Sequence, residues 1–309
     1  MKVIRYIGLV TLLLALMLPA LAQDDGDDGA DEATRPEPVI ETRSLTVDDV
    51  ERTYVLAVPE SHEESQALPL LVVLHGAGGS GMEMAEASGF GDVPTQDGAV
   101  VVYPDALEEE WNYLFGEEVH DDAGFIQALI DETVAEYAID ESRIYLTGYS
   151  NGGLMAVRLR CEMADTFAAV AAVSATMTIS LAQNCVDAGP VPFLLILGDR
   201  DEMFPWNGHM RAQDGLVFGT FSVAQTLSYM ASLNQCGPET NTTDLTAERS
   251  IVRVIQQRLS ECADGSEVML YALPEVPHVW PVPALVVLEA GGVGTIQDAV
   301  WAFFLAHSR

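Results

Sequence analysis

Hydrophobic residues fall along this chain in two alternating rhythms. Short, nearly continuous apolar runs recur at residues 70–74 (LLVVL), 99–103 (AVVVY), 143–146, 167–173, 192–197 and 268–273. Their length and β-branched content predict strands buried on both faces of a sheet. Between the runs, apolar residues return every three or four positions. Phe125, Leu129, Ile130 and Val134 mark a helix over 122–137, and similar stretches predict helices over 151–163, 222–233 and 295–306. Earlier, 42–47 and 52–58 flank Asp48-Asp49 and predict an opening hairpin. Such alternation predicts an α/β architecture, a mostly parallel central sheet with helices on both faces. No internal repeat or linker divides residues 39–309, which are read as one domain.

The first 38 residues do not share this rhythm. Lys2 and Arg5 precede an apolar run over 7–18, Pro19 ends it, and Ala20 and Ala22 are small. The pattern predicts a signal peptide over 1–22, cleaved after Ala22. Twelve apolar residues are short for a bilayer span, so no lasting membrane association is expected. Residues 23–38 hold seven acids, one arginine and no aromatic, and are read as an acidic disordered leader. The expected location is therefore outside the cytoplasm, extracellular or periplasmic.

Charge narrows the partners. The chain carries 14 basic and 47 acidic side chains, a net charge of −33. The leader is not the source, because residues 39–309 keep 40 acids against 11 arginines, or −29. Such a surface repels phosphate backbones, so no nucleic-acid partner is expected. Neutral substrates are favoured over anionic ones. With few cations to pair these carboxylates, added salt is expected to stabilise the fold by screening. A melting temperature that stays flat or falls on going from low to molar salt contradicts this.

Cysteine use agrees with export. Cys161, Cys185, Cys236 and Cys262 form an even set, which fits two bridges. Three pairings are open; the local ones, Cys161–Cys185 and Cys236–Cys262, are preferred. No cysteine or histidine pair has metal-ligand spacing, and no metal or organic cofactor is expected.

Candidate chemistry sits where strands end. Gly148-Tyr149-Ser150-Asn151-Gly152 fits Gly-x-Ser-x-Gly between a strand and a helix, a sharp turn that exposes a nucleophilic serine. His75-Gly76-Ala77-Gly78-Gly79 follows the strand at 70–74. Acyl transfer needs two backbone N–H groups for the developing oxyanion, and Ala77 and Asn151 are the expected donors. Gly198-Asp199-Arg200-Asp201 supplies an orienting carboxylate, Asp201 in preference to Asp199. Of six histidines (His62, His75, His120, His209, His278, His307), only His278 follows a late strand and lies downstream of both. The order Ser150, Asp201, His278 is that of nucleophile, acid and base in α/β-hydrolases.

On these motifs the chain resembles the secreted polyhydroxybutyrate depolymerase and feruloyl esterase family of α/β-hydrolases. The likeness runs over residues 70–307, through LLVVLHGAGGS, VVVYPDA, WNYLFGEEVHDDAGFIQALID, TGYSNGGLM and PHVWP. It implies an α/β-hydrolase fold, with Ser150, Asp201 and His278 as the triad and disulfides at the preferred pairs. The chain departs from the family in having a second carboxylate, Asp199, beside Asp201. Pro274-Glu275-Val276-Pro277 stands before His278 where glycines are usual, which reshapes the rim. Residues 282–294 also differ and are read either as a lid or as a core strand with a glycine turn.

Substrate signals are thinner. Trp111, Asn112 and Tyr113 fall in the loop after the strand at 99–103, and Tyr149 and Trp280 adjoin nucleophile and base. An aromatic-lined cleft for a phenolic acid or a polyester is expected. Asp121 and Asp122 are read first as helix caps. Asn241-Thr242-Thr243 fits a glycosylation sequon but is given no weight. The expected function is a monomeric secreted serine esterase of neutral esters or polyesters, acting through an acyl-enzyme. The alternatives are a prolyl-oligopeptidase-type peptidase and an inactive hydrolase-fold binding module.

Overall fold

A computed structural model of the chain describes residues 38–60, 67–116, 120–186, 188–213, 216–280 and 284–309. The expected signal peptide, the leader up to residue 37, His62 and residues 281–283 lie outside the described residues. Pro36–Arg309 groups as one unit.

The chain opens with strands β1 (Val39–Val47), β2 (Val50–Val58), β3 (Leu68–Leu74) and β4 (Val100–Pro104). It continues through β5 (Ile139–Tyr149), β6 (Ala169–Val173), β7 (Phe193–Gly198), β8 (His209–Gln213) and β9 (Leu216–Thr220). Last come β10 (Thr240–Asp244), β11 (Ile255–Leu259), β12 (Val268–Leu273), β13 (Leu285–Val287) and β14 (Val293–Thr295). Helices α1 (Gly81–Ala87) and α2 (Val93–Asp97) lie between β3 and β4, and α3 (Asp122–Glu136) precedes β5. The others are α4 (Asn151–Glu162), α5 (Ile179–Asn184), α6 (Val223–Leu233) and α7 (Ile296–Leu305).

Ten strands form one sheet in the order β1-β2-β4-β3-β5-β6-β7-β12-β11-β10. The six from β4 to β12 are parallel, and two antiparallel strands close each edge. The expected mostly parallel sheet is thus present. Alternate residues of the central strands feed two cores. Leu70, Val72 and Leu74 pack with Phe125, Leu129, Leu154 and Leu227 from α3, α4 and α6. Leu71 and Val73 pack with Met84, Ile296 and Phe304 from α1 and α7 on the other face. Each fully buried Val, Leu or Phe contributes about 1.5–3 kcal/mol relative to exposure, which explains why these strands read as continuous apolar runs.

The Asp48-Asp49 turn is as expected, and both residues have positive φ, at 51° and 63°. Strand β5 starts four residues earlier than its apolar core predicts, because Ile139–Ser142 are polar or half-exposed. Strands β10 (TNTTD) and β11 (IQQRL) are absent from the apolar pattern. They are mostly polar, with β10 exposed throughout and β11 mostly half-exposed, and they pair antiparallel, so they lack an apolar run. Ahead of α7, β13 and β14 form a short hairpin, with Gly291 and Gly292 at positive φ. Ala284, Val286 and Leu288 pack into the core under α7. Of the two readings of this segment, the strand with a glycine turn is the one observed. Both local cystine pairs form, Cys161–Cys185 and Cys236–Cys262. Among the described residues, no helix is long and apolar enough to cross a membrane.

The order of strands across the sheet reverses around β3. The chain leaves β3 for β4 on one side and returns to β5 on the other. In open parallel sheets such a switch point opens a crevice beyond the strands' C-terminal ends. The loops after β3, β4, β5, β7 and β12 all emerge on that edge.

Candidate active site

Ser150 sits between β5 and α4 with φ 53° and ψ −115°, backbone angles that cost a non-glycine residue energy. It occupies the N-cap of α4, yet its side chain makes no capping bond, which leaves the hydroxyl for other partners. Its own N–H donates to the carbonyl of Val173 at 2.9 Å, tying the turn to β6. The glycines make the sharp turn possible. A Cβ at Gly148 would lie 2.2 Å from the Gly152 carbonyl oxygen, and one at Gly152 would lie 2.3 Å from that of His75. Both obstacles are backbone, so neither can yield without moving a strand end. Gly152→Ala is expected to destabilise the fold by about 3 kcal/mol, read from the shift in urea midpoint at constant m.

The loops after β7 and β12 bring the other two side chains to this serine. His278 Nε2 lies 2.9 Å from Ser150 Oγ, and His278 Nδ1 lies 2.8 Å from Asp201 Oδ2. The other oxygen of Asp201 accepts the N–H groups of Met203 and Phe204 at 2.9 and 2.8 Å. This buried carboxyl group is therefore fixed in position by three hydrogen bonds. The imidazole lies between two rings, with centroids 5.2 Å from Tyr149 and 5.8 Å from Phe204.

Asp199 faces elsewhere. Its Oδ1 accepts the N–H of Glu275 at 2.7 Å, and its own N–H donates to Leu273. Arg200 N–H donates to Val276, and a Cβ at Gly198 would meet the Val276 carbonyl. Asp199 thus fastens the His278 loop to the end of β7, and the structure brings Asp201 to the histidine.

The loop after β3 lies against the serine. A Cβ built on Gly76 would be 3.5 Å from Ser150 Cβ. Gly78 and Gly79 donate to the carbonyls of Glu109 and Gly76; among the described residues no acceptor pairs with the N–H of Ala77. Asn151 is the first residue of α4, so its N–H has no acceptor within the helix. Both N–H groups belong to residues that the sequence offers as candidate oxyanion donors.

His75 holds this loop, a role that patterning did not reveal. It is buried, its Nε2 accepts Ala106 N–H at 3.0 Å, and Nδ1 donates to Gly76 O at 2.7 Å. Burial drives its pKa below the ordinary 6.5, so it stays neutral. The unfolded chain then binds the proton more readily. Stability is present above pH 6.5 and is lost as pH falls below it, at up to about 1.4 kcal/mol per pH unit until the depressed folded value is reached. Urea midpoints measured between pH 7 and 5 should fall for the wild type and fall less for His75→Gln.

The expected aromatic cleft is only partly present. Trp111 is 1% exposed, its indole N–H donates to the carbonyl of His75 at 2.9 Å, and its ring packs against His75. A ring enclosed in this way cannot stack on a substrate, which corrects that expectation. Trp280 donates to the Ser88 carbonyl at 3.0 Å and packs edge-on against Phe90 and Tyr149, so it anchors the His278 loop. Asn112 is engaged by the backbone around it, through His120 O and Leu114 N–H. Tyr149 supports the imidazole, and its hydroxyl donates to His278 O at 3.3 Å. Asp121 does cap α3, accepting Gly124 N–H at 2.8 Å, but Asp122 turns inward to a buried ion pair with Arg52 at 2.6 Å. Deleting one partner of such a pair typically costs about 3–5 kcal/mol. Among the described residues no group of three or more His, Cys, Asp or Glu side chains is gathered as metal ligands would be.

Residues 115–217 match the phospholipase/carboxylesterase family model. Feruloyl esterase B of Piromyces equi is 29% identical over 199 residues, 61% of this chain and 36% of that protein. Feruloyl esterase C of Emericella nidulans is 30% identical over 164 residues, 51% of this chain and 57% of that protein. The matched region spans only 36% and 57% of these two relatives' length. Among solved structures, the acetyl xylan esterase from Aspergillus awamori superposes with a TM-score of 0.56 at 14% identity, over 85% of this chain and 99% of that one. The chain has the α/β-hydrolase fold, and the resemblance to feruloyl esterases extends to curated relatives.

Proposed function

We propose that this α/β-hydrolase, a relative of feruloyl esterases in sequence, is a secreted serine esterase that cleaves neutral carboxylic esters through an acyl-enzyme on Ser150. The observation that carries the reading is the continuous line from Asp201 through His278 to Ser150, at 2.8 and 2.9 Å, beyond the C-terminal ends of three parallel strands. His278 Nε2 removes the proton as Ser150 Oγ attacks the ester carbonyl. Asp201 holds the imidazole with Nδ1–H directed at its carboxylate and stabilises the imidazolium that forms. The N–H groups of Ala77 and Asn151 receive the oxyanion. His278 then returns its proton to the departing alkoxide, and water, activated by the same imidazole, releases the acid and regenerates Ser150.

The ester cleaved is a feruloyl or acetyl ester of plant polysaccharide, or a polyester such as polyhydroxybutyrate. Exposed Glu108, Glu109 and Glu110 stand next to the oxyanion loop, where Glu109 accepts from Gly78, and they favour an uncharged substrate. The reach of His278 to Ser150 weighs against an inactive binding module. Activity is expected on methyl ferulate, acetylated xylan or a soluble polyester, with none on prolyl peptide amides. Amide cleavage without ester cleavage would overturn the reading in favour of the peptidase. Export with cleavage after Ala22 belongs to the same proposal, and the secreted protein should begin at Gln23.

A further inference from the structure

The two aspartates that open α3 divide their work. Asp121 caps the helix, whereas Asp122 makes two buried contacts. Its Oδ1 accepts from Arg52 at 2.6 Å and its Oδ2 accepts the N–H of Asn112 at 2.7 Å. Arg52 is held in turn: its guanidinium lies 4.0 Å over the Phe125 ring and donates to the carbonyl of Asp105 at 3.3 Å. The backbone of residue 112 is thereby set from β2 and α3 together.

The neighbouring residue passes this order to the reaction centre. Trp111 N–H donates to Asn151 Oδ1 at 2.7 Å, and Asn151 Nδ2 donates to Trp111 O at 3.1 Å. The amide presents its acceptor and its donor on two separate atoms; a carboxylate would face the Trp111 carbonyl, and an aliphatic group would bond to neither. The clamp fixes the first residue of α4, the same residue whose backbone N–H is assigned to the oxyanion. Donors of this kind act only when aimed at the oxygen of the transition state, and displacements of an ångström are costly.

We propose that Asp122 is a positioning residue of the hydrolytic reaction: seated by Arg52, it sets the Trp111–Asn112 strap that clamps the Asn151 side chain and so aims the Asn151 N–H at the substrate carbonyl. The proposal rests on the esterase reading above. Its effect falls on the transition state, so it should appear in kcat and not in KM.

The test is a double-mutant cycle on p-nitrophenyl acetate with Asp122→Asn, Asn151→Ala and the pair. Each single variant should lose about 10- to 100-fold in kcat with KM within about twofold. The double variant should be no slower than the slower single, because both act through one clamp. Affinity for a boronic acid analogue should fall in parallel with kcat. If Asp122→Asn does not fold, Asp122→Glu, which keeps a carboxylate for Arg52 but displaces the acceptor of the Asn112 N–H, takes its place in the cycle with the same kcat and boronate readouts. Multiplicative losses, a change confined to KM, or kcat within twofold of wild type in Asn151→Ala overturns the clamp while wild-type turnover stands. A wild type that neither hydrolyses esters nor labels with a fluorophosphonate overturns the esterase reading itself.

Discussion

Ser150→Ala is expected to lower kcat on p-nitrophenyl acetate by about four orders of magnitude or more, at a KM within a few-fold of wild type. The size follows from the role proposed for the hydroxyl. Without it there is no acyl-enzyme, and what remains is water attack assisted by the oxyanion donors. The substitution should fold well. Ser150 contributes no capping bond to α4, so alanine removes only the contact with His278. Thermal unfolding should therefore shift by no more than a few degrees. A variant that keeps its structure and more than a tenth of its activity would remove Ser150 from the mechanism.

The second large effect separates two carboxylates only two residues apart. Asp201→Asn should reduce kcat by about 10³- to 10⁴-fold, because an amide at 2.8 Å from His278 Nδ1 can donate and so favours the wrong imidazole tautomer. It also replaces one acceptor of a carboxylate already engaged by Met203 and Phe204 N–H groups. Asp199→Asn keeps an acceptor for Glu275 N–H and touches no reacting atom. Its loss in kcat should stay within about tenfold, through loosening of the His278 loop. Steady-state kinetics of the two variants at one pH decide the assignment. Equal losses, or a larger loss for Asp199→Asn, would reverse it.

Much of this fold is legible in the chain because the central strands are buried on both faces. Runs such as those at residues 70–74 and 99–103 carry their own signal, and the loops at their ends then carry the chemistry. The same logic explains what stays hidden. Strands β10 and β11 have polar, solvated positions and exist because β12 offers them an edge. Apolar periodicity cannot report an element whose stability comes from a partner. Near the site, the order Ser150, Asp201, His278 is visible in the sequence, but the supports are not. Trp111 reads as a cleft-lining aromatic until His75 and Asn151 are seen to enclose it. Asp122 reads as a helix cap until Arg52, seventy residues earlier, is found against it. Asp199 competes with Asp201 until the backbone of Glu275 claims it. In each case the deciding fact is a tertiary partner, which local pattern does not contain.

The central claim, that Ser150 is the nucleophile of an ester hydrolase, is tested most directly by trapping it. Wild-type protein treated with a fluorophosphonate should gain one adduct by intact mass. Peptide mapping should place that adduct on Ser150, and ester hydrolysis should fall in step with labelling. His278→Ala should label far more slowly, and Ser150→Ala not at all. Ester hydrolysis that continues in fully labelled protein, or an adduct that maps to another residue, would contradict the account.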